Sequence, residues 1–266
     1  MSIARFPFWR VVPKDGSSQR SGEFILLVMP PATAGPDGAP HIMGGVALAA
    51  FVDAMQLDSE LPLLWAHVQF LGPTQHAEEL VLKVEQCGGG QAVAQYTASA
   101  HVNTRPTHRA SGALGYREPY EQALFAQMPE VVGPDQATPV EISHSSPGGL
   151  PDQFEYRVAL HDEHRGIHAV WTRSRADFVI DAGWLAIMSD LFLGAHPASR
   201  GGSSLDAMFR FVQGADPGWV LSVTEFAAFE RGTVHGSARH FAEDGRLLAI
   251  SSQTGVLPRI PRRDLG

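Results

Sequence analysis

Residues 182–193 run Ala182-Gly-Trp-Leu-Ala-Ile-Met-Ser-Asp-Leu-Phe-Leu193, apolar on nearly every face of a helix yet carrying one carboxylate, Asp190. A helix with no polar face is buried on all sides, so something must wrap it. The residues that follow supply the wrapping. Leu205–Val212, Trp219–Phe229, Thr233–Phe241 and Arg246–Val256 carry the β-branched and aromatic residues of an antiparallel sheet, with Glu243-Asp244-Gly245 as a hairpin turn. Phe154–Leu160 and Gly166–Arg173 predict two further strands ahead of the helix. The expected unit is a curved sheet around a central helix.

The first half repeats this order. Met43-Gly-Gly-Val-Ala-Leu-Ala-Ala-Phe-Val-Asp-Ala-Met55 is a second all-apolar helix. Strand candidate Glu23–Met29 precedes it, and Trp65–Leu71, Glu79–Gln86, Gln91–His101 and Arg109–Tyr116 follow. Phe70 and Phe211 occupy similar places, 211 − 70 = 141 residues apart, while Ala113 and Gln253, each two residues before a glycine, are 253 − 113 = 140 apart. Near-equal offsets favour an internal duplication over two unrelated α+β domains. Between the halves, Arg117 to Pro151 holds Pro119, Pro129, Pro134, Pro139, Pro147 and Pro151, the composition of a connector. The expected division is an N-terminal unit, 1–118, a Pro/Gly-rich connecting segment, 119–151, and a C-terminal unit, 152–266.

Composition limits the function classes. At 266 residues, 44% hydrophobic and 18% charged, the chain can fill two ordinary cores and lacks the charge excess of a disordered one. A net charge of -8 with only 20 scattered basic residues argues against a nucleic-acid surface. No apolar run suggests a membrane partner, and Met1–Pro7 lacks the apolar stretch of a signal peptide. Cys87, the lone cysteine, excludes an internal disulfide and Cys-based zinc motifs. The location expected is cytoplasmic.

Two motifs in the first half and four in the second carry a resemblance. They are Gly44-Gly45 at the helix start, His67-Val-Gln-Phe-Leu-Gly-Pro73, Ala169-Val-Trp-Thr-Arg173, Met188-Ser-Asp-Leu191, Ser203-Ser-Leu-Asp206 and Asp244-Gly-Arg-Leu-Leu-Ala-Ile-Ser-Ser-Gln-Thr-Gly-Val256. In this order the chain resembles the acyl-CoA thioesterase II family, whose members are tandem (double) hotdogs of α+β class. The resemblance implies hydrolysis of an acyl-CoA thioester to free acid and CoA, in the sphere of fatty acid metabolism. It implies water bound and activated by Asp190, Ser204 and Gln253. No cofactor is implied, since CoA arrives with the substrate, and no metal. Two positions depart from the family pattern: Ala207 stands where His is frequent and Gly72 where Arg is frequent, and both bear on substrate choice more than on fold.

The residues themselves suit that chemistry. Hydrolysis needs an attacking water, a base for its proton and donors for the oxyanion. Asp190, among Ile187, Met188, Leu191, Phe192 and Leu193, is expected to have a raised pKa and so to be a better base near neutrality. Ser204 and Gln253 can orient one water beside it, and amides at the helix start, with Gly44 and Gly45 allowing close approach to substrate, are the oxyanion candidates. Each residue alone has a structural explanation: Asp190 as a hydrogen-bonding partner of a strand, Ser204 as a turn residue, Gln253 as an exposed strand residue, Gly44-Gly45 as helix packing. Their coincidence favours chemistry. Asp53 is a rival acid, secondary because Ala113 stands where a Gln would be needed. His67 is expected to satisfy a buried backbone group, and His161, His164 and His168 lack a metal-ligand spacing. No Gly-x-Ser-x-Gly signals a serine nucleophile. The alternative function is non-catalytic acyl-CoA binding, with a hotdog hydratase last. A homodimer or higher homo-oligomer is expected from the sheet edges.

Overall fold

A computed structural model describes residues 3–16, 21–35, 38–90, 92–117, 123–142 and 146–258. The first half forms strands β1 (Val12–Pro13), β2 (Glu23–Leu27), β3 (Thr33–Ala34) and β4 (His41–Ile42), helix α1 (Gly44–Ser59), and strands β5 (Leu63–Phe70), β6 (Glu79–Gly89), β7 (Val93–Val102) and β8 (Arg105–Gly115). In the second, β9 (Thr138–Val140), β10 (Phe154–Asp162) and β11 (Ile167–Ser174) precede helix α2 (Ala182–Ser189). Strands β12 (Ser203–Phe211), β13 (Val220–Glu230), β14 (Thr233–Ala242) and β15 (Leu247–Val256) follow it. The expected helix-then-strands order is present in both halves. Gln91 and Pro119, part of the expected strand and connector, lie outside the described residues, as do 143–145.

Apart from a small β3-β4 ribbon, the strands form one antiparallel sheet of 13 among the described residues, ordered β1-β2-β6-β7-β8-β5-β12-β15-β14-β13-β11-β10-β9. The halves join where β5 pairs with β12, Val68 opposite Ala207. Outward from that seam the order is β5-β8-β7-β6-β2 on one side and β12-β15-β14-β13-β11 on the other.

The repeat extends to irregularities. Each half has β-bulges at matching places: Leu63/Trp65 against Ser204/Asp206, Gln86/Gly88 against Phe226/Ala228, and Ala100/His101 against His240/Phe241. The offsets are 204 − 63 = 141, 226 − 86 = 140 and 240 − 100 = 140. A bulge bends and re-aims a strand, so coincident bulges give both halves the same curvature about their helices. The register also corrects one expectation. Trp65 pairs with Ala113 and Asp206 with Thr254, which makes Gly112, not Ala113, the counterpart of Gln253.

Both helices are almost wholly buried and pack on each other between the two sides of the sheet. α1 runs past the expected Met55 to Ser59 and ends at Glu60, whose left-handed backbone (φ 59°) lets its N–H reach the Gln56 carbonyl. α2 is shorter than the apolar run predicts. It stops at Ser189, and Asp190 is its C-cap, with φ -95° and ψ 9°. Beyond it Phe192 and Leu193 drop onto strands instead of continuing the helix: a Cβ at Gly236 would lie 2.6 Å from the Phe192 ring, and one at Gly255 2.6 Å from Leu193 Cδ2. Burial of these two side chains outweighs another helical turn.

The Pro-rich connector is more than a tether. Its described part lies extended on the outer face of the second half's sheet, where Ala126, Met128, Val131 and Ala137 join Trp171, Leu221, Val223 and Phe241 in a second apolar cluster. Trp171 Nε1 donates to the Val132 carbonyl (2.9 Å) and Arg157 to the Pro134 carbonyl (2.8 Å), satisfying backbone acceptors that lack a sheet partner.

Candidate active site

α1 begins without a side-chain cap of its own. The cap comes from the other half. Asp190 Oδ2 accepts the Gly45 N–H at 2.8 Å, across 145 residues of sequence. This approach depends on missing side chains, since a Cβ on Gly45 would sit 2.6 Å from the Ile187 carbonyl oxygen and one on Gly44 2.7 Å from both Asp190 Oδ2 and Phe70 Cζ. Gly44 keeps its own N–H without an acceptor among the described residues, as expected in the first turn of a helix.

The other carboxylate oxygen, Oδ1, accepts Gln253 Nε2 at 2.5 Å and the Ser204 hydroxyl at 3.2 Å, and Gln253 Nε2 also donates to Ser204 Oγ at 2.6 Å. The three residues singled out in the sequence thus meet around one carboxylate, with Gly44 and Gly45 against it. Ser204 and Gln253 come from adjacent paired strands, Ser204 opposite Gly255 on β15. Gln253 Oε1 is buried with no partner among the described residues, an open acceptor beside Asp190.

Every donor to Asp190 is neutral. Burial raises its pKa, and the hydrogen bonds from Gln253, Gly45 and Ser204 pull it back without cancelling the rise. Hydrogen bonds to a charged group are worth roughly 1.5–3 kcal/mol each. The cost of desolvating a full charge is larger than they repay. A carboxylate held above its ordinary value, with no cation to neutralise it, suits proton abstraction from water near neutral pH.

Asp53 meets a different fate. Arg10 donates to its Oδ1 at 2.5 Å and the Val11 N–H to its Oδ2 at 2.8 Å. Arg10 also reaches Asp181 at 2.8 Å, and Asp181 caps α2 by accepting the Trp184 N–H at 2.8 Å. Trp9 lies on the start of α2, where a Cβ at Gly183 would be 2.4 Å from its Nε1. The Gln253 and Ser204 counterparts are Gly112, with Met55 Sδ 2.9 Å from where its Cβ would be, and buried Leu63. The first half therefore lacks the polar group that the second assembles.

His67 does not serve a backbone group as expected. Largely buried, it faces Asp206 across the seam, Nε2 to Oδ2 3.5 Å, while the Thr254 N–H donates to Asp206 Oδ1. Sequence inspection missed this partner because it lies on the other half. It also missed His240, fully buried between the hydroxyls of Ser222 (2.9 Å) and Ser251 (3.1 Å) and held neutral by burial, its pKa lowered to about 4. His161 and His168 bring their Nδ1 atoms within 3.0 Å, but no group of three or more potential metal ligands occurs among the described residues.

Two similar halves of one sheet, each wrapped around a buried helix, with a carboxylate-centred polar group at their junction, define a double hotdog. The family model for the acyl-CoA thioesterase C-terminal domain matches residues 119–257, more than half of the chain, and the protein belongs to that family. It is a thioester hydrolase. Among solved structures it is similar to a candidate thioesterase from Novosphingobium aromaticivorans, at 26% identity and TM-score 0.87 over 95% of this chain and 99% of the other. A hotdog-fold protein from Alicyclobacillus acidocaldarius (17% identity, TM-score 0.79, 98% and 100% covered) and an acyl-CoA thioesterase II from Mycobacterium marinum (18%, 0.75, 97% and 99%) share the fold. No curated protein matches the chain. Among the described residues no helix is long and apolar enough to cross a membrane, which does not bear on a β-barrel.

Proposed function

We propose that the chain hydrolyses an acyl-CoA thioester by direct attack of water, with Asp190 as general base and Ser204 and Gln253 as its positioning partners. The observation that carries this reading is the meeting of all three side chains at one buried carboxylate beside the start of α1. Water docks against Asp190 and gives its second hydrogen to Gln253 Oε1, the unpartnered acceptor. Asp190 takes the proton as the water oxygen attacks the carbonyl carbon. The oxyanion that forms accepts the Gly44 N–H, and the positive end of the α1 dipole favours it. The C–S bond then breaks, the thiolate of CoA leaves and collects a proton, and the acid is released. No covalent acyl-enzyme forms.

The same reading divides the chain at 1–118, 119–151 and 152–266, with chemistry in the C-terminal unit and the helix start from the N-terminal one. It places the protein in the cytoplasm as a homodimer or higher homo-oligomer, for which gel filtration at micromolar concentration is the check. The test of function is thiol release from short, medium, long, branched and aromatic acyl-CoAs. Release from at least one ester supports the reading. Tight stoichiometric binding of an ester with no thiol released from any, by folded protein, overturns it in favour of a binding module.

A further inference from the structure

Between Asp190 and Ser204 the chain folds back over the inner face of β13 to β15 and builds an aromatic surface. Phe192 stacks on Phe226 with centroids 4.8 Å apart, and the His196 ring lies 5.3 Å from Phe226 and 4.8 Å from Phe229. The rings step outward from buried Phe192 to Phe229, which is 36% exposed. Basic groups edge this surface. His168 on β11 feels the charges of His161, Arg200 and His196 together. Arg200 is exposed; its Nε donates to the Gly194 carbonyl, and its two terminal amino groups have no partner among the described residues. Glu163 is engaged by His161 Nε2 at 3.1 Å, and Glu225 by Arg239.

We propose that this surface binds the nucleotide end of the CoA ester, the base against His196, Phe226 and Phe229 and the phosphates at Arg200 and the Nε2 of His168. The proposal rests on the thioesterase reading and deepens it. Planar aromatic groups stack on any base face, and a guanidinium pairs with phosphate oxygens in charge-assisted hydrogen bonds. An acyl chain would want an enclosed apolar pocket, whereas this surface is open and edged by the Arg200 guanidinium and the His168 imidazole. Its position fits, because it starts at Phe192, two residues from the base, and the thioester must lie at Asp190. Burial and the neighbouring basic groups lower the His168 pKa to about 4, so at neutral pH it offers an N–H and not a charge.

The experiment compares kcat/KM for an acyl-CoA with kcat/KM for the same acyl group on N-acetylcysteamine, which lacks the nucleotide. Wild type, Arg200→Ala and Phe229→Ala are measured, with calorimetric titration of the adenosine bisphosphate fragment of CoA. In each variant the ratio of the two kcat/KM values falls about tenfold, the size of one lost phosphate or stacking contact. Wild type binds the fragment and Arg200→Ala does not. An unchanged ratio in both variants overturns the proposal, as does an equal loss on both esters, the signature of a loop disturbed as structure. If wild type hydrolyses neither ester, the hydrolase reading fails by itself and the titration decides: heat with wild type but not Arg200→Ala supports the surface, and no heat with wild type overturns it.

Discussion

The two halves present the same scaffold with two different carboxylates. Asp190 caps α1 from across the junction among neutral donors, whereas Asp53 points toward the start of α2 and is met by the Arg10 guanidinium. Burial raises the pKa of both, but only Asp53 has a cation working against the rise. A carboxylate paired with a guanidinium is stabilised as an ion and is a poor base, and Trp9 covers the helix start where substrate would lie. The α2 N-terminus is also already capped by Asp181, while the Gly44 N–H of α1 has no acceptor among the described residues. Duplicated folds thus give equivalent places for a site, and what fills each place decides which is used.

The comparison can be pressed experimentally. Gln253→Ala removes a donor to Asp190 and the acceptor for water, and kcat should fall by about 10²-fold or more, read by steady-state thiol release. A loss under threefold would mean that the polar group is structural, as in the first half. Gly45→Ala sets a Cβ against the Ile187 carbonyl and pushes α1 from Asp190; kcat/KM should drop about tenfold, and an unaltered rate would show that the close helix approach is dispensable.

On the other half, Asp53→Asn should leave kcat within about twofold of wild type and cost about 2 kcal/mol of stability in chemical denaturation, because it weakens a buried pair whose Arg10 is half exposed to water. A mutant as stable as wild type would contradict the structural role assigned to this pair. The smallest effect is in the pH profile. Asp190 acts as its anion and its folded pKa is raised, so kcat/KM should decline on acidification at a pH above the ordinary aspartate value of 3.8. A profile flat through that range would remove Asp190 as the titrating base.

Much of this was legible in the sequence because burial writes periodicity. Helices without a polar face and strands rich in β-branched residues announced two wrapped units, and the Asp190, Ser204 and Gln253 motifs singled out three side chains that the fold brings together. Register was not legible. The bulges that leave Leu64 and Leu205 unpaired carry no signal in these side chains, so the counterpart of Gln253 was misplaced by one residue, from Gly112 to Ala113. The end of α2 was hidden because the apolar run continues to Leu193, and only Gly236 and Gly255 on distant strands draw Phe192 and Leu193 out of the helix. Arg10 was invisible as the partner of Asp53, and Asp206 as that of His67, because neither pair is close in sequence. Composition marked the connector as a linker, while its packing on Trp171 depends on an outer sheet face that only the folded chain creates.

The central claim is that one of two similar carboxylates does the chemistry. Its most direct test is thiol release from the best acyl-CoA by Asp190→Ala and Asp53→Ala side by side, each shown to be folded. Asp190→Ala should lose about 10²- to 10⁴-fold in kcat, the usual contribution of a general base, and Asp53→Ala should keep its rate at a temperature where it remains folded. Full activity in Asp190→Ala, or an equal loss in both, would contradict the account.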